Sequence, residues 1–426
     1  PDGSKMPATG FIERLRLPAC YPHPAGAVEL LETHISWVLL AGDYAYKIKK
    51  PLDLGFLDFS TLAARRRCCE EELRLNRRTA PALYLEVVPI GGTPADPRPG
   101  ALPAIEYAVK MRRFDQAGLL DRVAKRGALA PALVDALAAA IAQFHARVER
   151  APAGNEWGAP ERVLAFCEQN FATLGTTEPG AGPSPDRAQL ERLRAWTERE
   201  FGARRERFVE RSQGGFVREC HGDLHLGNIA LVDGAPVAFD CIEFNPGLRW
   251  IDVQNEIAFL VMDLLDHRLA AAAWRCLDRY LAATGDYEGL AVLRFYLVYR
   301  ALVRAKVAAL RAGQPGLDAA ARARLVAERR GYCELALRLA GAARPAVVLM
   351  HGLSGSGKTT VAQGLLEHLG AVRVRSDVER KRLHGLDATA RTGAELDAGL
   401  YGAEATRRTY GRLAAAARAI VAGGFT

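Results

Sequence analysis

The sequence predicts an α+β domain of two lobes followed by a smaller α/β unit, and three observations carry that prediction. Strand-like patterns and one helix fill the chain up to Arg113. Helical periodicity then dominates residues 114–340, broken by a single hairpin pattern at 229–239. A short apolar run at 346–350 leads directly into a glycine-rich loop and another helix.

In the first lobe, residues 35–40 are continuously apolar, Ala41, Gly42 and Asp43 supply a turn, and residues 44–49 alternate with period two. A β-hairpin is expected, with Lys47 and Lys49 on one face. Lysines on a solvated edge strand would give the same pattern. A helix follows from Ser60 and Thr61 to Asn76. Of its three glutamates, Glu72 lies on the stripe of Cys68 and Leu75 and is expected to face inward. Glu70 and Glu71 stand four residues from Arg74 and Arg67, a solvated-face pattern. Residues 106–113 read as a further strand.

In the second lobe, residues 130–148 form an alanine-rich amphipathic helix carrying His145, expected as a satisfied core histidine. Residues 157–216 and 251–339 read mostly as helices, with a Gly/Pro/Ser loop at 175–185. Asp252, Glu256, Asp263 and Asp266 recur at helical spacing; they either line a pocket for a cationic substrate or support the loop before them.

That loop, His221-Gly222-Asp223-Leu224-His225-Leu226-Gly227-Asn228, followed by Phe239-Asp240, carries the strongest chemical signal. Phosphoryl transfer from ATP needs an acceptor hydroxyl oriented and relieved of its proton, and magnesium held by oxygen ligands. Asp223 suits the first task; Asn228 and Asp240 suit the second. Asp233-Gly234 between apolar runs is a two-residue hairpin signal. Folding back there pairs Val232 with Ala235 and sets Asn228 opposite Phe239, so that Asn228 and Asp240 meet at the open end of one hairpin.

These motifs resemble those of the aminoglycoside phosphotransferase and choline kinase family, relatives of protein kinases. The resemblance implies a bilobal protein-kinase-like fold with Asp223 as catalytic base and Asn228 and Asp240 as magnesium ligands. It also implies a strand lysine on the nucleotide phosphates, a helix glutamate pairing it and a hinge strand for the base. Lys47 is chosen for the phosphates by its Ala-x-Lys spacing, with Lys49 in reserve, and Glu72 as its partner. Residues 33–36 would close over the phosphates with Ser36 donating a hydrogen bond, and backbone groups around Met111 to Arg113 would meet the adenine.

At the carboxyl-terminal side, residues 352–359 match the Walker A spacing of a P-loop. Gly352, Gly355 and Gly357 let backbone N–H groups cradle phosphates, Lys358 reaches the β/γ oxygens, Thr359 offers a hydroxyl to magnesium and Thr360 opens the next helix. Residues 372–377 look like a second strand. This part resembles P-loop kinases of the zeta-toxin and polynucleotide kinase type, which implies Asp377 as the base for a second acceptor; Ser376-x-x-Glu379 is equally a capping box, and both readings stand. With only two strands spent before Thr426, the α/β P-loop domain appears incomplete, and the chain is expected to be a truncated or partly ordered version of a longer protein.

The expected organisation is therefore an N-lobe at 8–113, a helical C-lobe at 114–340 and a partial P-loop domain at 345–426. Residues 1–5 ahead of Met6 read as an expression remnant. No charge-free apolar run reaches membrane-spanning length, and no secretory signal opens the chain. Eight cysteines without C-x-x-C pairs or His/Cys metal spacing read as reduced thiols of a cytoplasmic protein. A net charge of +8 comes from scattered arginines without a nucleic-acid motif, so nucleic acid is not the favoured partner. The function expected is an ATP- or GTP-dependent, Mg²⁺-requiring phosphotransferase acting on a small-molecule hydroxyl, with a second nucleotide site. The alternatives are a 5′-hydroxyl kinase of nucleotides or polynucleotides run by the P-loop domain, and a nucleotide-sensing regulatory protein with an idle kinase module.

Overall fold

A computed structural model describes residues 8–53, 55, 57–152, 154–176, 185–314, 316–353, 355–386, 390 and 400–426. The chain forms two compact units, Pro1–Val123 with His221–Arg249, and Ala124–Cys220 with Trp250–Thr426.

The first unit opens with α1 (Ala8–Leu15) and a six-stranded sheet of β1 (Glu29–Glu32), β2 (Ser36–Ala41), β3 (Tyr44–Lys49), β4 (Tyr84–Thr93), β5 (Asp96–Pro99) and β6 (Glu106–Arg112). Its order is β1-β2-β3-β6-β4-β5 and every pairing is antiparallel. The β2–β3 hairpin closes at Ala41↔Tyr44, as the sequence predicts. Gly42 takes φ +59°, and its amide donates to the Ala25 carbonyl at 2.8 Å. A Cβ at Gly42 would stand 2.3 Å from the Pro24 carbonyl oxygen, so only glycine fits this turn.

Alternation along β3 sorts its side chains by face. Tyr46 and Ile48 join Phe11, Ile12 and Leu15 of α1 in one core. Lys47 and Lys49 point the other way, where α2 (Leu62–Asn76) lies. Thr61 caps α2 by accepting from the Ala64 amide at 3.1 Å. Inside the unit, Arg65 holds both carboxylate oxygens of Glu106 through Nε at 3.0 and 2.9 Å and donates to the Phe59 carbonyl at 2.9 Å. Helix α2 is thereby tied to β6. The chain leaves this unit within α3 (Leu120–Lys125).

The second unit is built of α4 (Pro131–Arg147), α5 (Pro160–Thr176), α6 (Pro185–Gln213) and the short strand β7 (Val217–Glu219). Most of the loop expected at 175–185 falls outside the described residues, as do residues 1–5 and Ser354. The chain then returns to the first unit for the hairpin β8 (Ile229–Val232) and β9 (Ala235–Ala238) and the short α7 (Pro246–Arg249). Back in the second unit, β10 (Trp250–Asp252) pairs antiparallel with β7. Helices α8 (Val253–Asp266), α9 (Ala270–Thr284), α10 (Leu290–Ala312) and α11 (Ala319–Leu339) complete its helical body, followed by α12 (Lys358–Leu369), α13 (Ser376–Leu383) and α14 (Ala403–Ala422).

The two strands expected in the carboxyl-terminal part are not formed among the described residues. Residues 346–350 form no ladder, and Val347, Val348 and Leu349 are 60, 53 and 86% exposed rather than buried. Residues 372–375 likewise make no ladder. A strand is stable only beside a partner. Here the Val372 amide donates to the Thr426 carbonyl at 2.7 Å and the Ala346 amide to the Thr426 hydroxyl at 3.3 Å.

Gly42→Ala is expected to cost about 2 kcal/mol or more by combining left-handed backbone strain with overpacking. Urea unfolding followed by circular dichroism measures it; an unchanged midpoint would contradict the close approach to Pro24.

Candidate active site

The β8–β9 hairpin turns at Asp233-Gly234, both at positive φ, with Val232↔Ala235 and Ile229↔Ala238 in register. The Phe239 amide donates to the Asn228 carbonyl at 2.9 Å, which places Asp240 next to Asn228 as the turn chemistry predicts. On the other side, the Asn228 side-chain amide donates to both the backbone carbonyl and Oδ2 of Asp223, each at 2.9 Å. Asp223, Asn228 and Asp240 therefore stand on one continuous hydrogen-bonded frame. The Asp223 and Asp240 side chains keep 36 and 40% of their surface exposed, so both carboxylates remain open to a ligand.

His221 braces this frame from beneath. Its Nδ1 accepts from the Asp223 amide at 3.3 Å, so Nε2 carries the proton given to the Phe239 carbonyl at 2.8 Å. Burial, only partly offset by Asp223, pushes its imidazole down to about 4 and keeps it neutral. Gly222, at φ +87°, passes where a Cβ would meet the Leu248 carbonyl oxygen at 2.7 Å.

The two lysines of β3 reach the same place from the sheet. Neither is a solvated edge residue: Lys47 is 8% exposed and Lys49 fully buried. Lys47 Nζ donates to Glu72 Oε1 at 2.8 Å and also to Asp240 Oδ1. Lys49 Nζ donates to Glu72 Oε2 and to Glu243 Oε1. Glu72, on the inward stripe of α2, thus divides its two oxygens between the lysines. Desolvation alone would strip the proton from Lys47, but Asp240, Glu72 and Glu243 outweigh it and hold the ammonium charged. Desolvation would likewise raise the Asp240 carboxyl; Lys47 outweighs it and keeps the carboxyl below its ordinary value. Two lysines face three carboxylates here, leaving one negative charge in excess.

Asp240 occupies the left-handed region at φ +67°, which a non-glycine residue adopts only when its surroundings enforce it. Tyr84 Oη accepts the Asp240 amide at 3.1 Å, and Asn76 Oδ1 accepts the next amide, of Cys241, at 2.9 Å. Asn76 in turn donates to the Glu72 carbonyl at 2.9 Å. Sequence reading missed Asn76, Tyr84 and Glu243. The only signals were Asn76 one helical turn after Glu72 and Glu243 three residues past Asp240; Tyr84 had none.

The remaining expected residues are placed less directly. Glu70 pairs with Arg66 and Glu71 with Arg74 and Arg249, in place of the partners expected from spacing; Glu70 is solvated as expected, whereas Glu71 is half-buried against the buried Arg249. Ser36 is fully buried at the start of β2, and its Oγ has no hydrogen-bond partner among the described residues. Met111 is half-buried at the end of β6; the amides of Arg112 and Arg113 already donate to the Leu83 and Asp43 carbonyls at 2.8 Å. In the second unit, Asp252 caps α8 through the Gln254 amide and grips Arg211 at 2.6 and 2.8 Å, so it serves as support.

Also in the second unit, Gly355 and Gly357 adopt φ +78° and +79° and Gly352 φ +149°. Lys358 folds back onto the Gly352 and Leu353 carbonyls at 2.7 and 2.5 Å, while Thr359 and Thr360 are exposed in the first turn of α12. Arg373 fixes this helix to α9, donating to Asp278 and Gln363 at 3.0 Å. Asp377 is exposed and paired with Lys381 at 3.0 Å. The alternative capping box is not formed: Arg375 is the cap residue of α13 and makes no side-chain cap bond, and Glu379 bonds Arg382 and Arg412 instead.

The uncharacterized protein Rv2004c of Mycobacterium tuberculosis and the uncharacterized protein Mb2027c of Mycobacterium bovis are each 32% identical over 387 residues, 90% of this chain and 74% of theirs. The chain belongs to the family of these mycobacterial proteins. A family model described as an AAA domain matches residues 347–426, the part that carries the P-loop. Among solved structures, the chain is similar to the amicoumacin kinase hAmiN at 15% identity and TM-score 0.47, over 77% of this chain and 93% of that one. A choline kinase from Cryptosporidium parvum gives 10% identity and TM-score 0.47, over 85 and 98%. A microcompartment-associated aminopropanol kinase gives 15% and 0.45, over 77 and 96%. The antiparallel sheet with its buried lysine–glutamate pair and the loop-plus-hairpin after it give the first unit a protein-kinase-like α+β fold.

Removal of Glu72 leaves two buried ammonium groups short of a shared carboxylate. Glu72→Ala is expected to lose about 3–5 kcal/mol of stability, whereas Glu70→Ala on the solvated side stays within about 0.5 kcal/mol. Paired denaturant titrations of the two variants measure the contrast; equal effects would contradict the shared-carboxylate arrangement.

Proposed function

We propose that this protein is an ATP-dependent phosphotransferase that moves the γ-phosphoryl group onto a hydroxyl of a small molecule. The observation that supports it above others is Lys47, buried and charged, bonded at once to Glu72 and Asp240 beside the Asp223–Asn228 frame. In this reading Lys47, oriented by Glu72, grips the nucleotide phosphates. Asn228 and Asp240 offer hard oxygen ligands, and the excess negative charge suits a divalent cation, so they are the residues that would hold Mg²⁺. Bound there, Mg²⁺ would neutralise charge on the phosphates.

Asp223 aligns the acceptor hydroxyl and receives its proton. The carboxylate is suited to this because the Asn228 amide holds one of its oxygens while the side chain stays partly exposed. Lys49 and Glu243 lock the segment after Asp240 to the sheet, which keeps Asp240 in its unfavourable backbone conformation. We take residues 8–113 and 114–340 as the two lobes of this phosphotransferase and 345–426 as part of a P-loop domain with a second nucleotide site. Gly352, Gly355, Gly357, Lys358, Thr359 and Thr360 would serve that site, with Asp377 as its base. Among the described residues no helix is long and apolar enough to cross a membrane, and none of the eight cysteines forms a disulfide; we take the setting to be cytoplasmic.

The full chain incubated with a metabolite extract, ATP and Mg²⁺ is expected to yield new phosphorylated small molecules by mass spectrometry. Asp223→Ala should lower that turnover by about 10²–10⁴-fold while nucleotide affinity changes little. Full turnover in Asp223→Ala would end the assignment. Transfer to a 5′-hydroxyl oligonucleotide that survives Asp223→Ala but not Lys358→Ala would put the chemistry in the P-loop instead. Tight nucleotide binding without transfer to any hydroxyl would make the protein a sensor.

A further inference from the structure

Outside the site just described, one buried cluster joins three side chains remote in sequence. A ring nitrogen of His145 near the end of α4, Sγ of Cys220 just past β7 and a carboxylate oxygen of Glu256 in the first turn of α8 all lie within 4.8 Å of one another. All three side chains are buried. We propose that His145, Cys220 and Glu256 form a metal site for a divalent cation of the zinc type.

The state of His145 is the second observation. The sequence reading expects a satisfied core histidine, yet only half of the ring is satisfied. Nδ1 meets the Tyr280 hydroxyl at 2.8 Å, while Nε2 is buried with no hydrogen-bond partner at a residue exposure of 1%. A buried ring nitrogen left unpaired costs about 1–3 kcal/mol, so such an atom calls for a partner. Cys220 Sγ and a Glu256 carboxylate oxygen lie within 4.8 Å of a nitrogen of this ring, Nε2 takes no hydrogen bond from either, and Sγ also meets the Ile251 carbonyl at 3.5 Å. Ligands of a shared ion converge in this way. Bonds of about 2.0–2.3 Å to zinc put tetrahedral ligands roughly 3.3–3.8 Å apart, a contraction that side-chain rotation can supply.

Chemistry selects the ion. One imidazole, one thiolate and one carboxylate match zinc and its borderline neighbours; magnesium and calcium prefer all-oxygen sets. A thiolate and a carboxylate balance two positive charges, so the loaded site would be neutral in a place where net charge is expensive. When the Tyr280 hydroxyl accepts from Nδ1–H, the lone pair on Nε2 is directed to the metal, the outer-shell arrangement typical of histidine ligands. Arg218, which donates to the His145 carbonyl, is the cation close by; it approaches the backbone and leaves the ring nitrogen untouched.

The test uses the full chain, stripped by dialysis against a chelator and titrated with Zn²⁺ or Co²⁺. We expect one tightly held zinc per chain, a rise in the thermal midpoint on loading, and a near-ultraviolet thiolate-to-cobalt band. Cys220→Ser should abolish that band, and Cys20→Ser, a half-buried thiol elsewhere, should keep it. Glu256→Gln, which preserves shape, should weaken zinc by at least about tenfold. The thiolate band separates this site from any metal bound at Asp240. Absence of tight zinc in the stripped wild-type chain, or a cobalt band unchanged in Cys220→Ser, would overturn the proposal, and the vacant nitrogen would then be a packing defect of the core.

Discussion

The first unit depends on the division of one carboxylate between two lysines. Glu72 meets Lys47 with one oxygen and Lys49 with the other, and those lysines carry the connection onward to Asp240 and Glu243. Helix α2, the central strand β3 and the segment after β9 are thereby held by a single buried charge network. Burying these charges is tolerable because every lysine and carboxylate of the set bonds an opposite charge, with the one excess negative charge eased by the partly exposed Asp240; removal of one member leaves its neighbours uncompensated. The same bonds that stabilise the fold also place Lys47 and Asp240 side by side, so structure and chemistry here share their energetics.

Backbone strain marks the other end of this network. Asp240 is held at positive φ by Tyr84 and by Asn76, which is itself bonded to the Glu72 carbonyl. One helix, α2, therefore sets both the lysine and the carboxylate facing it. Such over-determination is what a residue in a sparsely populated conformation requires. It explains why Asn76, a side chain with no chemistry of its own, belongs to the site.

Much of this was legible beforehand because it is local. The Asp233-Gly234 turn specifies its hairpin, and period-two alternation puts Lys47 and Lys49 together and away from Tyr46 and Ile48. Helical periodicity separates Glu72 from Glu70 and Glu71. Glu243, Tyr84 and the cluster of His145, Cys220 and Glu256 were hidden because their partners are brought from elements far apart in the chain. The strands expected at 346–350 and 372–377 failed for the opposite reason: an apolar run and a valine alternation signal a strand, but a strand exists only where a ladder partner lies beside it.

What the sequence determined by itself was the set of chemical groups and their local placement: Asp223, Asn228 and Asp240 on a loop and hairpin, two lysines on one strand face, glycines where φ must be positive. Turn and period rules act over a few residues and survive without a fold. Only the tertiary structure decided which charges neutralise one another, since pairing at the ångström scale follows from packing of distant elements. It made Glu72 serve both lysines, brought Glu243 to Lys49, spent Asp252 on Arg211, gathered His145, Cys220 and Glu256 into one buried cluster, and left Nε2 of His145 without a hydrogen bond.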